Sequence, residues 1–191
     1  MATGKLTSTK AFPRERPSSG TYRIAIRPVL KRPDVRLSLV AVDVDPCRPD
    51  TVALADALVT TMRASPACVG IAATQIGDLA RVFCMDVTGH RRARSCAGLV
   101  VLCNPTVVYR SNNVVLREGC MSVPHLTGNV SRAAEVTVEG LEAGTGRVVR
   151  VSADAIEARC LQHEIDHLDG YVFVDRVFNP ATDLFARKTY A

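Results

Sequence analysis

Two of the four histidines in this 191-residue chain, His163 and His167, stand four residues apart in Q-H-E-I-D-H-L-D-G, with Glu164 directly after the first. On an α-helix that spacing stacks both imidazoles on one face, where they can reach one metal ion. Glu164, about 100° round the axis, then flanks the ion as a general base. Two buried, hydrogen-bonded histidines are the competing reading. A catalytic ion ordinarily takes three protein ligands and keeps one position open, so a third ligand has to come from elsewhere.

Downstream of His167 there is neither a histidine nor a glutamate, which excludes a metzincin-like or thermolysin-like completion of the site. Asp169, Asp175 and Asp183 remain as weak candidates there. Cys160 shares the histidine stripe, but it lies roughly 10.5 Å from His167 along a helix axis, too far to share an ion with bonds near 2 Å. It reads as helix core. Cys120, in R-E-G-C-M-S-V-P, stands out among the other cysteines, because the glycine before it and the strand-like segment after it let a thiolate project from a bend.

R-E-G-C-M-S-V-P, Q-H-E-I-D-H-L-D-G and, upstream, V-G-I-A-A-T-Q-I-G together resemble the three signature motifs of peptide deformylases, over roughly residues 24–178. The resemblance implies Cys120, His163 and His167 as metal ligands, Glu164 as general acid and base, and the Gln75 side chain with the Met121 backbone N–H as donors to an oxyanion. It implies Gly70 and Ile71 as substrate-binding residues, and a supporting pair between Asp166 and Arg132. One thiolate with two imidazoles would by itself point to zinc. The resemblance points to one Fe2+ per chain, with Ni2+, Co2+ or Zn2+ able to substitute.

The implied substrates are N-formylmethionyl nascent peptides, with transient ribosome contact, no specific nucleic-acid recognition, no membrane partner and a monomeric state. Four positions depart from the motifs: Cys68 stands for a glycine, Thr74 for a proline, His125 for a glycine or glutamate, and Thr127 for an arginine that some members use to hold the peptide. None is a ligand or the base. They bear on substrate affinity, and His125 reads as a surface or groove residue.

These residues need elements to hold them. The stretch from Ala153 to about Leu168 reads as the helix carrying both histidines, with Ser152 as N-cap and Gly170 just past its end. A second helix is expected over residues 50–65, capped by Asp50, with Leu54, Leu58 and Met62 on its buried face. R-V-F-C-M-D-V, L-V-V-L-C-N-P, T-V-V-Y-R, A-E-V-T-V-E-G-L and R-V-V-R-V-S are short, β-branched and bounded by turn residues. The expected fold is α+β, with small, largely antiparallel sheets around a central metal-binding helix in one domain.

With 47% hydrophobic and 23% charged residues, the composition excludes a disordered chain. No apolar run reaches the roughly 18 residues of a membrane span. Seven cysteines, an odd number spread through apolar stretches, fit reduced thiols better than a disulfide framework. The net charge of +5 is concentrated in residues 1–36 and in Arg91–Arg94, and reads as solvated loop charge. Residues 1–20, basic and rich in Ser, Thr and Pro, are expected to be a disordered extension, 21–180 the catalytic domain and 181–191 a tail. A bacterial cytoplasmic location is expected, or an organelle if residues 1–20 act as a transit peptide.

Overall fold

The computed structural model describes residues 26–187. The expected extension over residues 1–20 lies outside the described residues.

Helix α1 (Pro49–Ala64) forms where apolar residues recur every four positions, and Leu54, Leu58 and Met62 are buried. The expected cap is corrected. Arg48 occupies the N-cap position, and Asp50 pairs with its guanidinium at 2.8 Å instead of closing the helix. Pro49 opens the helix because the first turn leaves its missing N–H without consequence.

Among the described residues, eight strands make two antiparallel sheets. The larger has the order β1 (Gly70–Ala72), β2 (Val82–Met85), β3 (Val100–Arg110), β6 (Glu135–Glu142) and β7 (Val148–Asp154). The smaller has the order β4 (Asn113–Cys120), β5 (Val123–Ala133) and β8 (Leu184–Ala186). L-V-V-L-C-N-P and T-V-V-Y-R, expected as separate strands, are a single strand, β3. The apparent break is local: Asn104 takes φ +50°, and the pairing with β6 shifts between Cys103 and Thr106. Leu184–Ala186, expected within a tail, is paired with Leu126–Gly128 of β5.

Helix α2 (Ala155–Leu168) lies between the sheets, in contact with β1, β2, β6 and β7 of one and β5 of the other. Ala158, Leu161, Ile165 and Leu168 join Phe83, Met85 and Val138 in one core, the arrangement expected of an α+β domain with a central helix. The helix start is also corrected. Ser152 stays in β7, its hydroxyl 3.0 Å from that of Thr137, and Asp154 takes the N-cap position. The Asp154 carboxylate accepts from the Ser95 backbone N–H at 2.9 Å and gives the helix no side-chain cap. Gly170 follows the helix end at φ +81°, as expected of a left-handed terminator.

Candidate metal centre and active site

Cys120 ends β4 at an irregularity: Gly119 pairs with Thr127 of β5, but Cys120 pairs with Val123. The slipped register bends the chain and brings the thiol to α2. Its Sγ stands 3.2 Å from His167 Nε2, and donor atoms of Cys120, His163 and His167 all lie within 4.8 Å of one another. The imidazole rings meet edge to face, centroids 4.8 Å apart, as the four-residue helical spacing requires.

The other local candidates are elsewhere. Cys160 is buried in α2 and its thiol faces the Val69 carbonyl at 3.6 Å. Asp169 pairs with Arg81 at 2.7 Å, Asp175 pairs with Arg32 at 2.6 Å, and Asp183 accepts from Asn129 at 2.9 Å. His125 is exposed.

Burial raises the cost of a charged Cys120, but the two imidazoles outweigh it and hold the thiol well below its usual range. Burial disfavours a charged His163 too, yet Cys120 and Glu118 draw its pKa well above the usual value. The Glu118 carboxylate stands 3.1 Å from His163 Nδ1. Nδ1–H donates to it, which leaves Nε2 for an ion. His167 Nδ1 and Glu164 Oε2 are buried with no hydrogen-bond partner among the described residues. A compact set of one thiolate and two imidazoles beside a buried, unsatisfied carboxyl oxygen is the donor chemistry a divalent cation requires.

The sequence and fold of this chain match known proteins over the region that carries these residues. The polypeptide deformylase family profile matches residues 26–182. The chain belongs to the peptide deformylase family. A peptide deformylase of Halothermothrix orenii is 43% identical over 127 residues, 66% of this chain and 77% of that one. Peptide deformylase 2 of Xanthomonas campestris pv. campestris is 39% identical over 171 residues, 88% of this chain and 96% of that one. The crystal structure of the Ehrlichia chaffeensis peptide deformylase superposes with a TM-score of 0.74 at 32% identity, covering 80% of this chain and 88% of that one. The family is metal-dependent, and the Cys/His cluster is a candidate site for the ion.

Within this member of the family, Glu164 is buried one residue beyond the first histidine, and burial pushes its carboxyl up to about 7 against the opposing pull of both histidines. Gly70 makes that burial possible. A Cβ there would lie 2.5 Å from Glu164 Oε1 and 2.7 Å from Cys160 Sγ. The close approach at Gly70 is an approach of backbone to Glu164. The Ile71 side chain is fully buried, packed with Leu58 and Met62 of α1, so only its backbone can face a substrate.

Gln75 sits in a short 3-10 turn, Ala73–Ile76, after β1. Its side-chain Oε1 accepts from the Ala72 N–H at 3.0 Å, and its Nε2 donates to Ser122 Oγ at 3.1 Å and towards Cys120 Sγ at 3.4 Å. The amide is therefore oriented at the rim of the cluster. Met121, immediately after Cys120, is half-buried.

Arg132 donates to Asp166 at 2.6 Å, the pairing expected from sequence, and also to Glu118 at 2.7 Å and 3.1 Å. Sequence reasoning missed the size of this network. Arg159 reaches Glu118 at 2.6 Å and Arg176 reaches Asp166 at 2.6 Å, so two carboxylates are shared among three guanidiniums and His163. Glu118 sits inside the motif that singles out Cys120, which was the available signal. Thr74, one of the departures, donates its hydroxyl to the His167 carbonyl at 3.0 Å and ties the turn to the helix end.

Proposed function

We propose that this protein removes the N-formyl group from formylmethionyl nascent polypeptides and releases formate, with Cys120, His163 and His167 as ligands of one Fe2+, for which Ni2+, Co2+ or Zn2+ can substitute. The observation that carries the reading is the meeting of a thiolate and two imidazoles from two elements beside a buried carboxyl drawn up to about 7. A divalent cation held by these three residues would lower the pKa of a water molecule and polarise the formyl carbonyl.

The remaining steps belong to the chain. Glu164 accepts the proton of the attacking water and delivers it to the departing amine nitrogen, a transfer suited to a group titrating near neutral pH. The oxyanion formed at the formyl carbon accepts from the Gln75 amide and the Met121 backbone N–H. The Ala72 N–H pre-orients that amide by donating to Gln75 Oε1. Glu118 and Arg132 fix the His163 ring and keep Nε2 aimed at the cluster. We further assign a monomer of the bacterial cytoplasm, in transient contact with ribosomes.

The test is formate release from formyl-Met-Ala-Ser by protein purified anaerobically with iron. Turnover that Glu164→Ala abolishes supports the proposal. Metal content without turnover above that control identifies a metal-stabilised binding protein instead.

A further inference from the structure

β1 and β4 are each the edge strand of their sheet, and both border the cluster. Gly70 of β1 closes one side against Glu164, and Gly119, the last residue before Cys120, marks the other. Thr127 pairs with Gly119 on one side and with Phe185 of β8 on the other, so residues 119, 127 and 185 form one row across the small sheet. Arg187 continues β8, its backbone N–H donating to the His125 carbonyl at 2.8 Å.

Its side chain crosses β5 and ends over Gly119. A Cβ on Gly119 would collide with Arg187 Nη2, and would lie 3.0 Å from Cζ and 3.4 Å from Thr127 Cγ2. The missing side chain at 119 admits the guanidinium. Thr127, on the same row, carries no charge, and Phe185 holds β8 in place beneath the Arg117 guanidinium, 3.4 Å from the ring centroid. Arg117 in turn donates to Thr127 Oγ1 at 3.3 Å and Asn129 Oδ1 at 3.2 Å. A cationic fork thus stands one residue from a candidate metal ligand, delivered by a segment beyond residues 26–182 of the family match.

We propose that Arg187 positions the peptide chain of the substrate, donating from its guanidinium over Gly119 to a carbonyl or carboxylate oxygen downstream of the formylmethionine. The inference rests on the deformylase reading. A planar fork of N–H donors suits both acceptors, and β4, the edge strand of its sheet among the described residues, offers a peptide held at the cluster an edge that leads past Gly119.

The experiment uses the full metal-loaded protein, with formyl-Met-Ala-Ser and its C-terminal amide as substrates. Arg187→Ala is expected to raise KM about tenfold, the scale of one charge-assisted hydrogen bond, with kcat changed less than about twofold, and Arg187→Lys to fall between. An equal rise on both substrates identifies a carbonyl acceptor; a rise on the acid alone identifies the terminal carboxylate. An unchanged KM on both, or a loss in kcat alone, overturns the proposal. Should Arg187→Ala melt early, Arg187→Gln, which keeps most of the side chain's packing, takes its place. Calorimetric binding of the tripeptide Met-Ala-Ser separates the two failures. If wild-type protein releases no formate the deformylase reading falls, and a tripeptide Kd equal in wild type and variant overturns the Arg187 contact on its own.

Discussion

Two absences set the surroundings of Glu164: Gly70 lacks the Cβ that would push the carboxyl aside, and Glu164 Oε2 has no hydrogen-bond partner among the described residues. Glu164→Gln keeps the shape and removes the proton acceptor. It is expected to lower kcat/KM by about 10²–10⁴, the range of a positioned general base, while elemental analysis finds the metal retained. Cys68, one of the departures from the motifs, gives a different readout. Burial, with Glu164 adding to it, pushes its thiol up to about 12, so at pH 8 only about one molecule in ten thousand carries the thiolate. Iodoacetamide followed by mass spectrometry should modify exposed Cys47 and Cys96 first, and Cys68 should gain about tenfold in rate per pH unit from 7 to 10. Fast labelling of Cys68 at pH 7 would show that burial does not govern it. At this scale the sequence was informative for the histidine pair of α2, because a helical period fixes which side chains share a face. It was silent on Arg159 and Arg176, since a guanidinium's partner across the fold leaves no periodic trace.

The same contrast holds for elements. α2 was readable because apolar residues and both histidines fall on one stripe, whereas β4 was not. Asn113–Arg117 are exposed on both faces, so there is no alternation to read, and the strand holds its place partly because the buried Arg159 guanidinium donates to the Val114 carbonyl at 3.3 Å. β4, β5 and α2 are joined by the Arg132 network, with Arg132, Glu118 and Asp166 all at or below 10% side-chain exposure. Removing one member strands the others in a dry interior. Arg132→Met is expected to cost about 3–5 kcal/mol in urea unfolding, and to weaken metal retention because Glu118 loses a partner while holding His163. A loss under about 1 kcal/mol would mean that Arg159 and Arg176 satisfy both carboxylates without it.

Across the whole molecule, the cluster is where two separately built sheets are fastened to each other. Cys120 belongs to the three-stranded sheet, and both histidines belong to the helix that packs mainly on the five-stranded one. An ion bound by all three ligands therefore ties the halves of the fold together, and it binds the folded state alone, since the unfolded chain separates Cys120 from the histidines by more than forty residues. Linkage then fixes the sign: an ion at a hundred times its Kd adds about 2.7 kcal/mol to stability, or about 5–10 °C in Tm for a chain of this size. Chelation should lower the wild-type Tm by that amount, and readdition of nickel should restore it. The variants sort the roles. Glu164→Gln, which leaves the three ligands in place, should show the same chelator-dependent shift, whereas Cys120→Ala should melt at one temperature with or without chelator. A chelator shift that survives Cys120→Ala would place the ion on other residues, and would detach the stability of the fold from the site of the chemistry.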